Sequence, residues 1–187
     1  MKILAFAASL RVASFNRKLI GQAANILRSV PDVDVDLADF REFEMPMYDG
    51  DLESREGIPA GGLELIRRTQ SADGVVVSTP EYNGSIPGTL KNAIDWASRA
   101  EPTPLEGKPI LLIGASPGGL GAVRSLWHTR VPFEVIGAHV YPEMMGVPRA
   151  HQAFDDNGNL GDPNQFSRLQ GLLFSYIDFV RKLRGPS

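Results

Sequence analysis

Apolar positions recur in two rhythms along this chain. Ile3–Ala8 is a continuous apolar run. It predicts a central strand of a parallel sheet, because such strands are covered on both faces. Asn16–Leu27 sets Leu19, Ile20, Ala23 and Leu27 on one side of a helix. Val33-Asp34-Val35-Asp36-Leu37 alternates strictly, which predicts a strand with one solvated face, as at a sheet edge. Leu63–Gln70 reads as a short helix, Gly74–Thr79 and Ile110–Ala115 as further buried strands, and Val135–Tyr141 as a fifth. Leu120, Val123, Trp127 and Val131 form a helical stripe, so Trp127 is expected in the core. In the helix Leu90–Ser98 the stripe is Leu90, Ala93, Ile94 and Ala97. Trp96 falls off it and is expected to face a partner or a ligand. Leu169, Leu172, Leu173, Tyr176, Ile177, Val180 and Leu183 make the longest stripe, a final helix laid on the sheet.

Strands alternating with helices predict an α/β fold, a doubly wound five-stranded parallel sheet with helices on both faces. The half-solvated second strand belongs at an edge, which favours the order 2-1-3-4-5. The 187 residues suggest one domain spanning 1–187. A chain of this size buries roughly 70% of its unfolded surface and needs no metal or disulfide to fold. The segment Ala38–Gly62 reads as one long irregular stretch. Its Met45, Pro46, Met47 and Tyr48 are expected to pack on something, a ligand or a second subunit.

Composition narrows the function. The chain has no cysteine, which excludes a disulfide framework, a thiolate zinc site, an iron–sulfur cluster and a cysteine nucleophile. That also suits the reducing cytoplasm. A net charge of −3 with no long basic run gives no argument for nucleic acid or an anionic membrane. No apolar stretch approaches the ~20 residues that span a bilayer. The run Met1–Ala8 is short and followed by Ser9-Leu10-Arg11, so it reads as a strand rather than a signal peptide. His128, His139 and His151 lack metal-ligand spacing, and no metal is expected. Asp155-Asp156-Asn157-Gly158-Asn159 holds a fragment of a calcium loop and reads as a polar surface turn.

Three turns carry candidate chemistry, each at the carboxyl end of a strand, where ligands bind in open α/β sheets. After strand 1 come Ser9, Arg11, Ser14 and Asn16, with a helix starting behind them. Hydroxyls, a fork-shaped cation and a helix N-terminus together suit a phosphate. Equally, Ser14 caps the helix and Arg11 is solvated. There is no Gly-x-Gly-x-x-Gly and no Gly-Lys-Ser/Thr loop, so this is not a dinucleotide fingerprint, and Asp36 reads as an ordinary carboxylate. After strand 3, Pro80-Glu81-Tyr82-Asn83-Gly84-Ser85-Ile86-Pro87-Gly88 offers a stiff backbone wall for a flat, hydrogen-bonding ligand. After strand 4, Ser116-Pro117-Gly118-Gly119 allows close backbone approach. Strands 1, 3 and 4 are neighbours in the expected order, so all three turns open on one crevice.

Together with Lys91-Asn92-Ala93-Ile94-Asp95-Trp96 and Met45-Pro46-Met47-Tyr48, these segments resemble the NADPH-dependent FMN reductase family, over nearly the whole chain. This is a flavodoxin-like group of flavin, quinone, chromate and azo-dye reductases. The resemblance implies that Ser9, Arg11, Ser14, Phe15 and Asn16 hold the FMN phosphate. It implies that Pro80, Glu81, Tyr82, Asn83 and Gly84 line the isoalloxazine, largely through backbone groups, and that Ser116, Pro117, Gly118 and Gly119 border its other edge. Many members begin the first turn with Gly-Ser, where this chain has Ala8-Ser9. The implied activity takes hydride from NADPH or NADH to FMN and passes two electrons to a small-molecule acceptor such as a quinone. No side-chain nucleophile is required, and Tyr82 is a candidate acid only. The family's helix packing implies a homodimer or a dimer of dimers, with Arg124 and Glu143 a candidate pair in the assembly. An FMN electron carrier that ignores nicotinamide and a flavin-free binding module are the competing readings.

Overall fold

The computed structural model describes residues 1–185. Its sheet is built from β1 (Lys2–Ala7), β2 (Asp34–Ala38), β3 (Gly74–Ser78), β4 (Pro109–Ala115), β5 (His139–Val140) and β6 (Met145–Val147). The order is β2-β1-β3-β4-β5, with β6 also on β4, and every pairing is parallel. The expected order is therefore the observed one.

The fifth lane differs from expectation. Val135 ends a helix, and β5 covers only Pro109 and Ile110 of β4. The lane resumes at β6, beside Ile113–Ala115. Pro142 lies in the break, and a residue without an N–H cannot continue a ladder.

The period-2 alternation of the strands sorts the core into two layers. Ile3, Ala5, Val76, Leu111 and Ile113 face α1 (Phe15–Arg28), while Leu4, Phe6, Val75, Val77, Ile110 and Leu112 face the other way. On that second side lie α3 (Ala60–Ser71), α4 (Gly88–Ala97) and α5 (Val123–Val135). The final helix α7 (Pro163–Arg184) packs on the α1 side through Leu169, Leu172, Leu173, Tyr176, Ile177 and Val180. Leu183 of the expected stripe is exposed. The Tyr176 hydroxyl donates to the carbonyls of Val75 and Pro109, each at 3.0 Å. Burial pushes that hydroxyl well above the ordinary tyrosine range. Between β6 and α7, α6 (Ala150–Ala153) is a single turn. Beyond it, the Asp155 carboxylate accepts from the Asn159 N–H at 2.8 Å, closing the polar turn.

Three expectations about helices are corrected. The segment Ala38–Gly62 is largely ordered: it holds a 3-10 turn (Phe40–Phe43), α2 (Gly50–Glu56) and the start of α3. Helix α2 buries no residue, so it leaves no apolar stripe to read. Trp96 does not face outward. It is fully buried, and its indole Nε1 donates to the Pro46 carbonyl at 2.8 Å. The Tyr48 ring meets it edge-on, with centroids 5.1 Å apart. The apolar residues of the loop thus pack partly on their own chain.

Trp127 is the reverse case, 56% exposed, and Leu120, Val131 and Val135 are exposed beside it. Helix α5 buries Ser125, Leu126, Thr129 and Phe133 instead. Ser125 and Thr129 sit in the core without cost because both hydroxyls have backbone acceptors, the Pro80 carbonyl and the Ser125 carbonyl. No helix among the described residues is long and apolar enough to cross a membrane.

Candidate functional site

The three turns meet at the carboxyl ends of β1, β3 and β4, and Asn16 joins them. Its Oδ1 accepts from the Ala115 N–H and from the Ser78 hydroxyl, both at 2.9 Å. Its Nδ2 donates to the Ala115 carbonyl at 2.9 Å. Asn16 is buried, so its amide is committed to holding the crevice together. Two backbone bonds at 2.9 Å, Ala8 N–H to Ser78 and Thr79 N–H to Ile113, complete the seam.

The first turn presents donors with little internal use. Among the described residues, the N–H groups of residues 10–15 find no acceptor within the protein. Unpaired amides beside a helix N-terminus are the donors that an anion cradle requires. The Ser9 hydroxyl is buried and without a hydrogen-bond partner. Arg11 is exposed beside it. Ser14 caps α1, accepting from the Asn16 N–H at 3.2 Å. The Phe15 ring turns away and stacks on Phe154, with centroids 6.2 Å apart. Of the five residues expected here, then, Ser9 and Arg11 offer side chains to a ligand, and Ser14 and Phe15 offer N–H groups.

Arg41 has no precursor in the sequence reading. Its guanidinium donates to the Leu10 carbonyl and so fixes the peptide that opens the cradle. Nearby, Arg17 pairs with Asp39 at 2.6 Å.

The second turn is a tight hairpin. Tyr82 and Ser85 exchange backbone hydrogen bonds at 3.2 and 3.1 Å. Asn83 and Gly84 between them have φ of 52° and 77°. Positive φ at both central residues is the Asn-Gly type I′ signature. The N–H groups of Glu81, Asn83 and Gly84 have no acceptor among the described residues. Pro80 is buried, while Tyr82 is exposed.

Glu81 does not present its carboxylate to the crevice. The side chain is only 7% exposed and paired with Arg124. Burial pushes its carboxyl up, but hydrogen bonds from the Arg124 side chain and the Ser125 N–H outweigh that and hold it below its ordinary value. The stabilisation from this pair is present above the ordinary glutamate value and is lost as pH falls through the lower, folded value. Within the chain, Arg124 is therefore taken by Glu81 and not by Glu143.

The third turn, Ser116 to Gly119, lies exposed between β4 and α5. Ser116 Oγ accepts from the Gly118 N–H at 3.2 Å. The turn is drawn against β6: a Cβ on Gly146 would fall 2.2 Å from the Gly121 carbonyl oxygen. Only a glycine allows that approach.

This donor set fits a flavin mononucleotide. An amide cradle, an orphan hydroxyl and Arg11 match a phosphate, and two backbone walls match a flat ring with polar edges. The family model of the NADPH-dependent FMN reductases matches residues 1–152. The chain belongs to that family. It is an oxidoreductase that uses FMN with a reduced nicotinamide nucleotide as donor.

The quinone reductase of Escherichia coli (strain K12) is 34% identical over 187 residues, covering 98% of this chain and 97% of the relative. An NAD(P)H-dependent FMN reductase of Pseudomonas aeruginosa is 35% identical, covering 99% and 98%. Among solved structures, the flavoenzyme NAD(P)H:(acceptor) oxidoreductase FerB of Paracoccus denitrificans superimposes with a TM-score of 0.83 at 30% identity, over 97% of each chain. Flavodoxin 1 of Bacillus cereus, at 10% identity and a TM-score of 0.60, shares the fold alone. The electron-carrier and flavin-free readings are not favoured by these relatives.

Proposed function

We propose that this protein is a cytoplasmic NAD(P)H:quinone reductase built as one flavodoxin-like domain over residues 1–187. The observation that carries the reading is the alignment of three donor-rich turns on three neighbouring strands, tied by Asn16. Ser9, Arg11 and the N–H groups through Ser14 and Phe15 hold the phosphate. Pro80, Glu81, Tyr82, Asn83 and Gly84 wall one side of the ring through their backbone, and Ser116, Pro117, Gly118 and Gly119 border the other. Bound FMN supplies the hydride-accepting and electron-donating chemistry. The chain's own part is to fix amide dipoles toward the negative charge of the reduced ring and to leave one face open. An acceptor on the open face is a small planar oxidant of the quinone class, as the names of the relatives from Escherichia coli and from a Burkholderia species suggest for those proteins. A quinone takes its protons from water or from Tyr82. The cytoplasm supplies the reduced nucleotide, and a cysteine-free chain suits it.

Self-association is part of the reading. Trp127, Val131 and Val135 recur at helical spacing on the outer side of α5, and Leu120 lies in the turn before it, all exposed. Contiguous exposed apolar surface of this kind marks a protein interface. We assign the homodimer contact to this face, in place of the buried Trp96, and a dimer of dimers to further contacts. Sedimentation of the FMN-loaded protein tests this: Trp127→Glu is expected to halve the mass, and an unchanged mass removes α5 from the interface.

Arg11→Ala is expected to weaken FMN binding while leaving the melting temperature of the flavin-free protein unchanged. A lost charge-assisted bond of this kind costs about 1.5–3 kcal/mol. Quenching of flavin fluorescence reads the affinity, and an unchanged value displaces the phosphate from the first turn. For the acceptor, steady-state turnover with NADPH is expected to be fastest with a benzoquinone and slower with free flavin. A protein that reduces free flavin but no quinone contradicts the acceptor assignment.

A further inference from the structure

We propose that Arg124 is a positioning residue for the flavin, acting through Glu81 to set the backbone wall at residues 80–85. The proposal rests on the placement of the isoalloxazine against that wall.

Helix α5 begins at Val123, and its N-cap is Ala122, a residue with no capping oxygen and a left-handed φ of 67°. A side-chain acceptor normally serves the N–H groups of the second and third helical residues. Here those groups are Arg124 and Ser125, and both donate to Glu81 Oε2, at 3.1 and 3.4 Å. Glu81 thus caps α5 from another part of the chain. Its other oxygen accepts from Arg124 Nε at 2.8 Å and from Nη2. A carboxylate at a helix N-terminus is further favoured by the helix dipole.

The same helix grips the wall at two more points. The Ser125 hydroxyl donates to the Pro80 carbonyl at 2.8 Å, and His128 Nδ1 lies 2.9 Å from the Ser85 hydroxyl. The wall is therefore fastened at Pro80, Glu81 and Ser85, with Tyr82, Asn83 and Gly84 spanning between. Their conformation aims the unpaired N–H groups of Glu81, Asn83 and Gly84. Because α5 follows directly on the third turn, the clamp also fixes the distance between the two walls of the crevice.

Of these fasteners Arg124 and His128 are exposed, Arg124 with half its side chain in solvent, while the Glu81 side chain is buried. Losing Arg124 leaves Glu81 its two helix amides, so the fold survives and the aim of the wall loosens. Lysine cannot reproduce the forked contact.

The test compares Arg124→Met and Arg124→Lys with the wild type. Three quantities are read: FMN affinity, the midpoint potential of the bound flavin, and hydrogen exchange at Tyr82 and Ser85 in the flavin-free protein. Arg124→Met is expected to bind FMN about 10-fold more weakly, the fold-change equivalent to about 1.4 kcal/mol. It is also expected to shift the potential and to speed exchange at both amides, with melting temperature nearly unchanged. Arg124→Lys is expected to fall between. Unchanged affinity, potential and exchange in Arg124→Met overturn the proposal. Faster exchange with unchanged affinity and potential overturns it too, since the wall would then loosen without consequence for the flavin. A wild type that takes up no FMN instead overturns the cofactor placement, a failure the exchange data separate from failure of the clamp.

Discussion

Trp96→Ala is expected to destabilise the protein by about 3–5 kcal/mol, the usual cost of removing a buried aromatic side chain. Trp96 is fully buried on the side of α4 that is covered by the segment following β2, against Pro46 and Tyr48. Its loss opens a cavity that Tyr48 cannot fill, because Tyr48 meets the indole only at an edge and is held by Glu53 at 2.8 Å. The Pro46 carbonyl keeps one donor, Asn92 Nδ2 at 2.9 Å, so the polar part of the loss is small. Trp96→Phe separates the two contributions: it keeps most of the packing and gives up the hydrogen bond, worth about 1 kcal/mol. Urea unfolding of both variants checks this. A Trp96→Ala protein as stable as the wild type returns Trp96 to the surface and to the assembly role.

Asn16→Ala is expected to damage fold and site together. It strands the Ala115 N–H and leaves the Ser78 hydroxyl and Ala115 carbonyl short of a partner, all of them buried. Each buried group left unsatisfied costs about 1–3 kcal/mol. The ends of β1, β3 and β4 lose their common pin, so FMN affinity is expected to fall as well. Arg11→Ala, in contrast, lowers affinity alone. Denaturant unfolding of the flavin-free protein beside flavin fluorescence quenching distinguishes them. If Asn16→Ala keeps full stability and binds FMN normally, the pin has no role.

The sheet was readable because strands buried on both faces leave unbroken apolar runs, and the alternating Val33–Leu37 marked its own edge. The three turns were readable because their glycines, prolines and hydroxyls fall directly after those runs. Other features left no such trace. Trp96 is off the stripe of α4, yet a second layer of chain, carrying Pro46 and Tyr48, covers that side as well. Periodicity assumes one buried face and a helix wedged between two layers defeats it. On α5 the reverse happened: Ser125 and Thr129 are the inward residues, their hydroxyls satisfied by backbone carbonyls, while the apolar stripe points out. Residue type named Asn16 as ligand-facing, and the resemblance placed Glu81 at the ring largely through its backbone. Their side chains are instead bound to parts of the chain 43 and 99 residues away. Contacts of that range are set by the fold and have no local signature.

The central claim is that the three turns hold FMN with one face open to a nicotinamide donor and then to a quinone. Anaerobic absorbance titration of the FMN-loaded protein tests it most directly. NADPH is expected to bleach the flavin band stoichiometrically, and a quinone to restore it in full. A bound flavin that NADPH leaves unbleached, or a bleached one that no quinone reoxidises, contradicts the account.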